Sequence, residues 1–115
     1  MRLGILFQNF WPEQALNHPG LAVNYDSSNL TRRGLDAIKG VADLGPWIIH
    51  THAKDGLRTG EEVALGKGNV DWNAYIAALS AADYDGFLTV EREKLTESPD
   101  TEAKHAAEFL KNIMR

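Results

Sequence analysis

The stretch Ile-Ile-His-Thr-His-Ala-Lys-Asp-Gly, residues 48–56, decides the fold of this chain. It is a short apolar run that begins with two β-branched residues and passes into two histidines, a lysine and an aspartate. Read as a strand, it places Ile48, His50, His52 and Lys54 on one face, because successive side chains alternate. An apolar strand whose polar groups gather at its carboxyl end fits a parallel sheet. There helices cover the strands, and ligands bind where the strands give way to their loops.

Working outward, similar short apolar runs recur at Leu-Gly-Ile-Leu-Phe (3–7), Leu-Ala-Val-Asn-Tyr (21–25), Pro-Trp-Ile-Ile-His-Thr-His (46–52) and Gly-Phe-Leu-Thr-Val-Glu (86–91). Each is rich in β-branched or aromatic residues and bounded by Gly, Pro, Asp or Asn, which favours strands. Helical periodicity fills the intervals. Residues 31–44 align Leu35, Ile38, Val41, Ala42 and Leu44 in one apolar stripe closed by Gly45-Pro46. Residues 71–83 do the same with Trp72, Tyr75, Ile76 and Leu79, with Asn69 as a candidate cap. A last helix from about Asp100 carries Ala103, Ala106, Phe109, Leu110 and Ile113, acidic early and basic late as the helix dipole prefers. Residues 12–17 have room for only a turn or two of helix before His18-Pro19-Gly20. The order β, short α, β, α, β, α, β, α implies parallel strands joined by right-handed crossovers.

Composition narrows the function. At 115 residues and 43% hydrophobic, the chain reads as one domain over 1–115, with residues 1–17 either a leader or a degenerate strand and short helix. A net charge of -4 and scattered lysines and arginines give no basic footprint, so no nucleic-acid partner is expected. The absence of cysteine removes disulfides, thiolate ligands and cysteine nucleophiles, and fits a reducing compartment. No apolar run approaches the roughly 18 residues of a membrane span, and the N-terminus lacks a signal-peptide pattern. The expectation is a cytoplasmic protein without membrane contact.

Each strand ends in polar chemistry: Gln8-Asn9, then Asp26 with Asn29, then His50 and His52 with Lys54-Asp55, then Glu91 and Glu93. Aspartate, imidazole and carboxylate converging from neighbouring strands suit a divalent ion such as Mn²⁺, Mg²⁺, Co²⁺ or Zn²⁺. Other roles are open to the same residues: Asp26 as an Asx-type turn former, His52 as a strand-end imidazole bound to a carboxylate, and Lys54-Asp55 as a rim ion pair. His18 and His105 read as surface residues. Gly66, Gly68 and Asn69 shape a loop rather than hold a phosphate, because no P-loop lysine-serine pair follows.

The segments LAVNYDSSNL, IIHTHAKDG, ALGKGNVDW and YDGFLTVERE, in that order, resemble the second half of the xylose isomerase-like TIM barrel family, the sugar phosphate isomerases and epimerases related to endonuclease IV. The resemblance implies half of a (β/α)8 barrel, about four parallel strands with outer helices. It implies Asp26, His52 and Glu91 as metal ligands, with Asn29 as a substrate contact. Arg58 in the following loop, His50 and Glu93 are further substrate-binding candidates, with a packing role open to His50 and a solvated one to Glu93. The implied reaction is proton abstraction next to a carbonyl through an enediolate, with Glu91 as a catalytic carboxylate and Lys54 steadying the anion. Two departures bear on activity. The whole barrel needs about 250 residues, and Gln8 replaces the family's glutamate if LGILFQN aligns with the fifth strand, the alternative being an unrelated leader with the match beginning near His18. A half barrel leaves open sheet edges and a bare inner face, so completion by a homodimer is expected. The competing reading is a non-catalytic half-barrel interaction module or the product of a truncated gene. An endonuclease-like phosphoesterase ranks last, because too few ligands are present for a multi-metal centre.

Overall fold

A computed structural model describes residues 3–4 and 18–115. Four parallel strands lie in the order β1-β2-β3-β6: β1 (Leu3–Gly4), β2 (Leu21–Asp26), β3 (Ile48–Ala53) and β6 (Leu88–Val90). Between β3 and β6, the two-residue strands β4 (Asp55–Gly56) and β5 (Glu62–Val63) form a small antiparallel pair. Helices α1 (Ser27–Thr31) and α2 (Ala37–Leu44) connect β2 to β3, with a 3-10 turn at Gly45–Trp47. Helix α3 (Trp72–Ala81) precedes β6 and α4 (Pro99–Ile113) follows it. The described residues form an open α/β sheet, not a closed barrel.

The register of β3 corrects the expected face of Ile48. Val23 pairs with Ile48, but the next residue, Asn24, pairs with His50, so β3 advances two residues for one of β2. Ile49 is the extra residue of this bulge and is exposed. Ile48 therefore turns to the core with Val23 and Tyr25, while His50 and His52 lie opposite Asn24 and Asp26. The core occupies the helix side of the sheet. Val23, Tyr25, Ile48 and Ala53 pack with Val41, Trp72, Tyr75 and Leu79, and α4 adds Ala106 and Leu110. Each such large aliphatic side chain contributes roughly 1.5–3 kcal/mol by leaving water. The other face is less covered than a parallel sheet was expected to be: His50 and His52 are half-buried, and Thr89 and Val90 of β6 are exposed.

The single helix expected over 31–44 is two helices. The chain turns at Arg32–Asp36, with Gly34 at φ 73, a conformation open to glycine. Asp36 then caps α2 by accepting from the amides of Ile38 and Lys39, both at 2.9 Å. Leu35 consequently lies in the turn and is exposed. The cap of α3 is Asp71, whose Oδ1 accepts from Ala74 N at 3.0 Å. Asn69 Oδ1 instead accepts from Arg58 N at 2.9 Å. His105 is half-buried and its Nε2 donates to the Leu65 carbonyl at 2.9 Å, so it is not a simple surface residue. Gln8, the strand expected beyond residue 4 and the short helix expected at 12–17 lie outside the described residues.

Candidate metal centre at the carboxyl ends of the strands

Asp26 is the last residue of β2 and the N-cap of α1. Its Oδ1 accepts from Ser28 N at 2.9 Å and Asn29 N at 3.2 Å. The turn-forming role is thus real, but it uses one oxygen and leaves the other available. Burial pushes the Asp26 carboxyl up from the usual carboxylate range, against the opposing pull of the Asn29 amide and the Lys54 ammonium. His52 lies directly across the ladder from Asp26 on one side and from Thr89 on the other. Glu91 follows β6, fixed there by its amide, which donates to the Ala53 carbonyl at 3.1 Å.

These three strand ends converge. One ligand atom each from Asp26, His52 and Glu91 lies within 4.8 Å of the others. Metal bonds of roughly 2.0–2.6 Å leave co-ligands up to roughly 5 Å apart, so the donor set fits a divalent ion. Two oxygens and an imidazole nitrogen suit the borderline metals more than soft ones. His52 Nδ1 is 3.1 Å from Glu91 Oε2, so the imidazole also has the carboxylate partner expected of a strand-end histidine.

Lys54 closes the cluster from the end of β3. Its side chain is only 3% exposed, and Nζ lies 3.1 Å from Glu91 Oε2 and 2.8 Å from Glu93 Oε1. Burial alone would lower its pKa, yet the hydrogen bonds to Glu93 and Glu91 outweigh it and hold the ammonium above its usual value. Its partners are these glutamates and not Asp55. Asp55 is the organiser of the following loop: it accepts from the amides of Gly56, Gly66, Gly68 and Val70 and from the Trp72 indole. Gly68 is required there, since a Cβ would collide with the Asp55 carboxylate.

Of the residues nominated from sequence, Asp26, His52, Glu91, Lys54 and Glu93 meet in one cluster, and His50 stands edge-on to His52 with ring centroids 5.2 Å apart. Asn29 is beside it, donating its backbone amide to Asp26. Arg58 is exposed on the β4–β5 loop and has no described side-chain contact with the cluster. Sequence reasoning missed a second charged layer behind the first. Arg92 bridges Glu62 and Glu102, at 2.7 and 3.1 Å. Burial would raise the Glu62 pKa, but the Arg92 guanidinium and the Glu93 and Lys94 amides bring it below the usual range. The Thr96 amide, with Arg92, holds Glu102 down to about 2. Glu-Glu at 61–62 and Asp-Thr-Glu at 100–102 look like ordinary solvated charge in sequence, and only the fold brings them to Arg92.

Residues 13–113 match the family described as Xylose isomerase-like TIM barrel. This chain belongs to that family. A xylose isomerase domain protein from Planctomyces limnophilus superposes with a TM-score of 0.73 at 30% identity, over 89% of this chain and 39% of that one. A D-tagatose 3-epimerase-like protein gives a TM-score of 0.70 at 22% identity, over 88% and 37%, a likeness of fold. The uncharacterized protein YfiH of Bacillus subtilis is 29% identical over 120 residues, 84% of this chain and 38% of that protein. The chain therefore spans about two fifths of the length of these relatives. Its open sheet is the corresponding part of a family barrel.

Proposed function

We propose that this chain is a metal-dependent isomerase or epimerase of a sugar or sugar phosphate, working in the cytoplasm. The observation that supports it is the convergence of Asp26, His52 and Glu91 from three adjacent strand ends, in a chain of the xylose isomerase-like family. Asp26, His52 and Glu91 would hold the ion, with Mn²⁺, Mg²⁺, Co²⁺ and Zn²⁺ all compatible with the donors. When bound, the ion supplies a Lewis acid that polarises the sugar's carbonyl and hydroxyl oxygens. Glu91, about a third exposed, takes the proton from the carbon next to the carbonyl. Lys54 stands 3.1 Å from the same carboxylate, where an ammonium steadies negative charge as it develops on the substrate. Asn29, His50, Glu93 and Arg58 supply the polar contacts to the sugar.

A second copy completes the site in this reading. The sheet ends at β1 and β6 among the described residues, and Phe87 and Val90 at the β6 edge are exposed. A two-fold dimer covers such edges and builds an eight-stranded, barrel-like sheet. The alternative, a non-catalytic half-barrel module, draws on the fact that the chain spans only about 39% of its structural relative. Turnover assays across common ketoses and their phosphates, with Mn²⁺ or Co²⁺ present, separate the two. The enzyme reading expects slow turnover that falls by about 100-fold or more in Glu91→Gln, the usual range for loss of a general base. Metal and sugar binding without turnover would favour the module.

A further inference from the structure

Glu91 has to be held in place by something other than its strand. β6 has three residues and, among the described residues, a partner on one side only, and the last rung of its ladder is the Glu91 amide itself. Immediately beyond it the chain leaves the sheet, and every residue from Glu93 to Asp100 is exposed. A ligand at the frayed end of an edge strand would lose its aim without support from outside the sheet.

That support comes from two buried carboxylates and one guanidinium. Arg92, with 10% of its side chain exposed, donates from Nη1 to Glu62 Oε1 at 2.7 Å and from Nε to Glu102 Oε2 at 3.1 Å. Glu62 Oε1 also accepts the amides of Glu93 at 2.9 Å and Lys94 at 3.3 Å. Glu102 Oε1 accepts the Thr96 amide at 3.0 Å and the Thr96 hydroxyl at 3.1 Å. One carboxylate comes from β5 and the other from the first turn of α4, so the segment 92–96 is tied to two separate elements. Glu62 joins this layer to the cluster: its buried Oε2 has no hydrogen bond among the described residues and lies 3.9 Å from Lys54 Nζ. Arg92 and Glu91 are adjacent in the chain and point to opposite sides of it, one into the clamp and one into the candidate metal cluster.

We infer that Arg92 is a positioning residue for Glu91, with Glu62 and Glu102 as its anchors, and that this clamp sets the affinity of the cluster for a divalent ion. The inference rests on the metal-site reading above. Its chemistry is that of an outer partner that orients a ligand, whose loss typically lowers metal affinity by 10–100-fold. Only the planar fork of arginine reaches both carboxylates with separate N–H groups, so lysine is a weak substitute.

The test is Co²⁺ titration of the full chain followed by visible absorption, together with amide hydrogen exchange at residues 91–96. Arg92→Lys keeps the charge and is the variant least prone to unfold, Thr96→Val loosens one anchor, and Lys104→Met, at an exposed position of α4, is the control. The expected result is a 10–100-fold weaker Co²⁺ affinity and an altered spectrum for Arg92→Lys, a smaller loss for Thr96→Val, faster exchange at Glu91 to Lys94, and no change for Lys104→Met. Unchanged Co²⁺ affinity in folded Arg92→Lys would overturn the inference, as would unchanged exchange at Glu91. If the unmodified chain binds no Co²⁺ while Arg92→Lys still frees the 91–96 amides, the metal-site reading fails and the clamp stands as a device that orders Glu91.

Discussion

Replacing Asp55 with asparagine changes one atom at a carboxylate that accepts five hydrogen bonds. The Asp55 carboxylate is 1% exposed. Its Oδ1 accepts from Gly56 N at 2.8 Å and Val70 N at 3.3 Å, and its Oδ2 from Gly66 N at 2.9 Å, Gly68 N at 3.2 Å and Trp72 Nε1 at 2.9 Å. An asparagine has one acceptor oxygen, and its better orientation keeps the Oδ2 side and turns its NH₂ toward the amides of Gly56 and Val70. Two buried donors then face a donor, at about 1–3 kcal/mol each, and the remaining three bonds lose their charge assistance. Relaxation of the loop recovers part of this, so Asp55→Asn is expected to lose about 3–5 kcal/mol, a large share of the roughly 5–15 kcal/mol of a typical domain. Urea unfolding followed by tryptophan fluorescence reads it directly, since Trp72 is one of the five donors. A loss under about 1 kcal/mol would refute the claim that this carboxylate organises residues 56–70.

The Glu102 carboxyl is held down to about 2 from 4.5, by the Thr96 amide first and Arg92 next. Its contribution to stability is therefore complete above about pH 4.5 and is lost as pH falls toward about 2. Glu102→Gln should be less stable than the parent at neutral pH, with the gap closing across that window in urea unfolding; a gap independent of pH would contradict the assignment. Tyr25 is fully buried and its hydroxyl donates to the Ala37 carbonyl, so Tyr25→Phe should lose about 1 kcal/mol. No loss in the same unfolding assay would mean that this link between β2 and α2 adds nothing.

Strands β2, β3 and β6 were legible because each is a brief apolar run between breakers, whereas the two-residue β4 and β5 carry no such run, and the placing of ligand sites at strand ends follows from parallel topology. The bulge was not. Ile48 and Ile49 are chemically identical, and nothing local shows which of them the ladder skips; that is settled by fitting β3 against Val23 and Asn24. The break in the 31–44 helix had a visible signal in Arg-Arg-Gly-Leu-Asp, where Gly34 and the capping Asp36 outweigh the apolar stripe. Asp71 was likewise readable as a cap immediately before Trp72. In the site, the polar residues at the strand ends were visible as a group, and the resemblance to the family singled out Asp26, His52 and Glu91 among them. Glu62, Arg92 and Glu102 did not, since their meaning depends on 30-residue and 10-residue separations that only tertiary packing closes. Lys54 was visible as a rim residue, but its choice of Glu91 and Glu93 over the adjacent Asp55 follows from strand parity, which sends neighbouring side chains to opposite faces.

Native mass spectrometry of the chain in the presence of Mn²⁺ tests the central claim most directly, because one spectrum gives both subunit count and bound ions. The expected spectrum shows a dimer with one Mn²⁺ per chain, and loss of the ion in His52→Ala but not in His50→Ala. A chain that retains no ion, or one that retains it equally after His52→Ala, would contradict the assignment of Asp26, His52 and Glu91 as a metal centre.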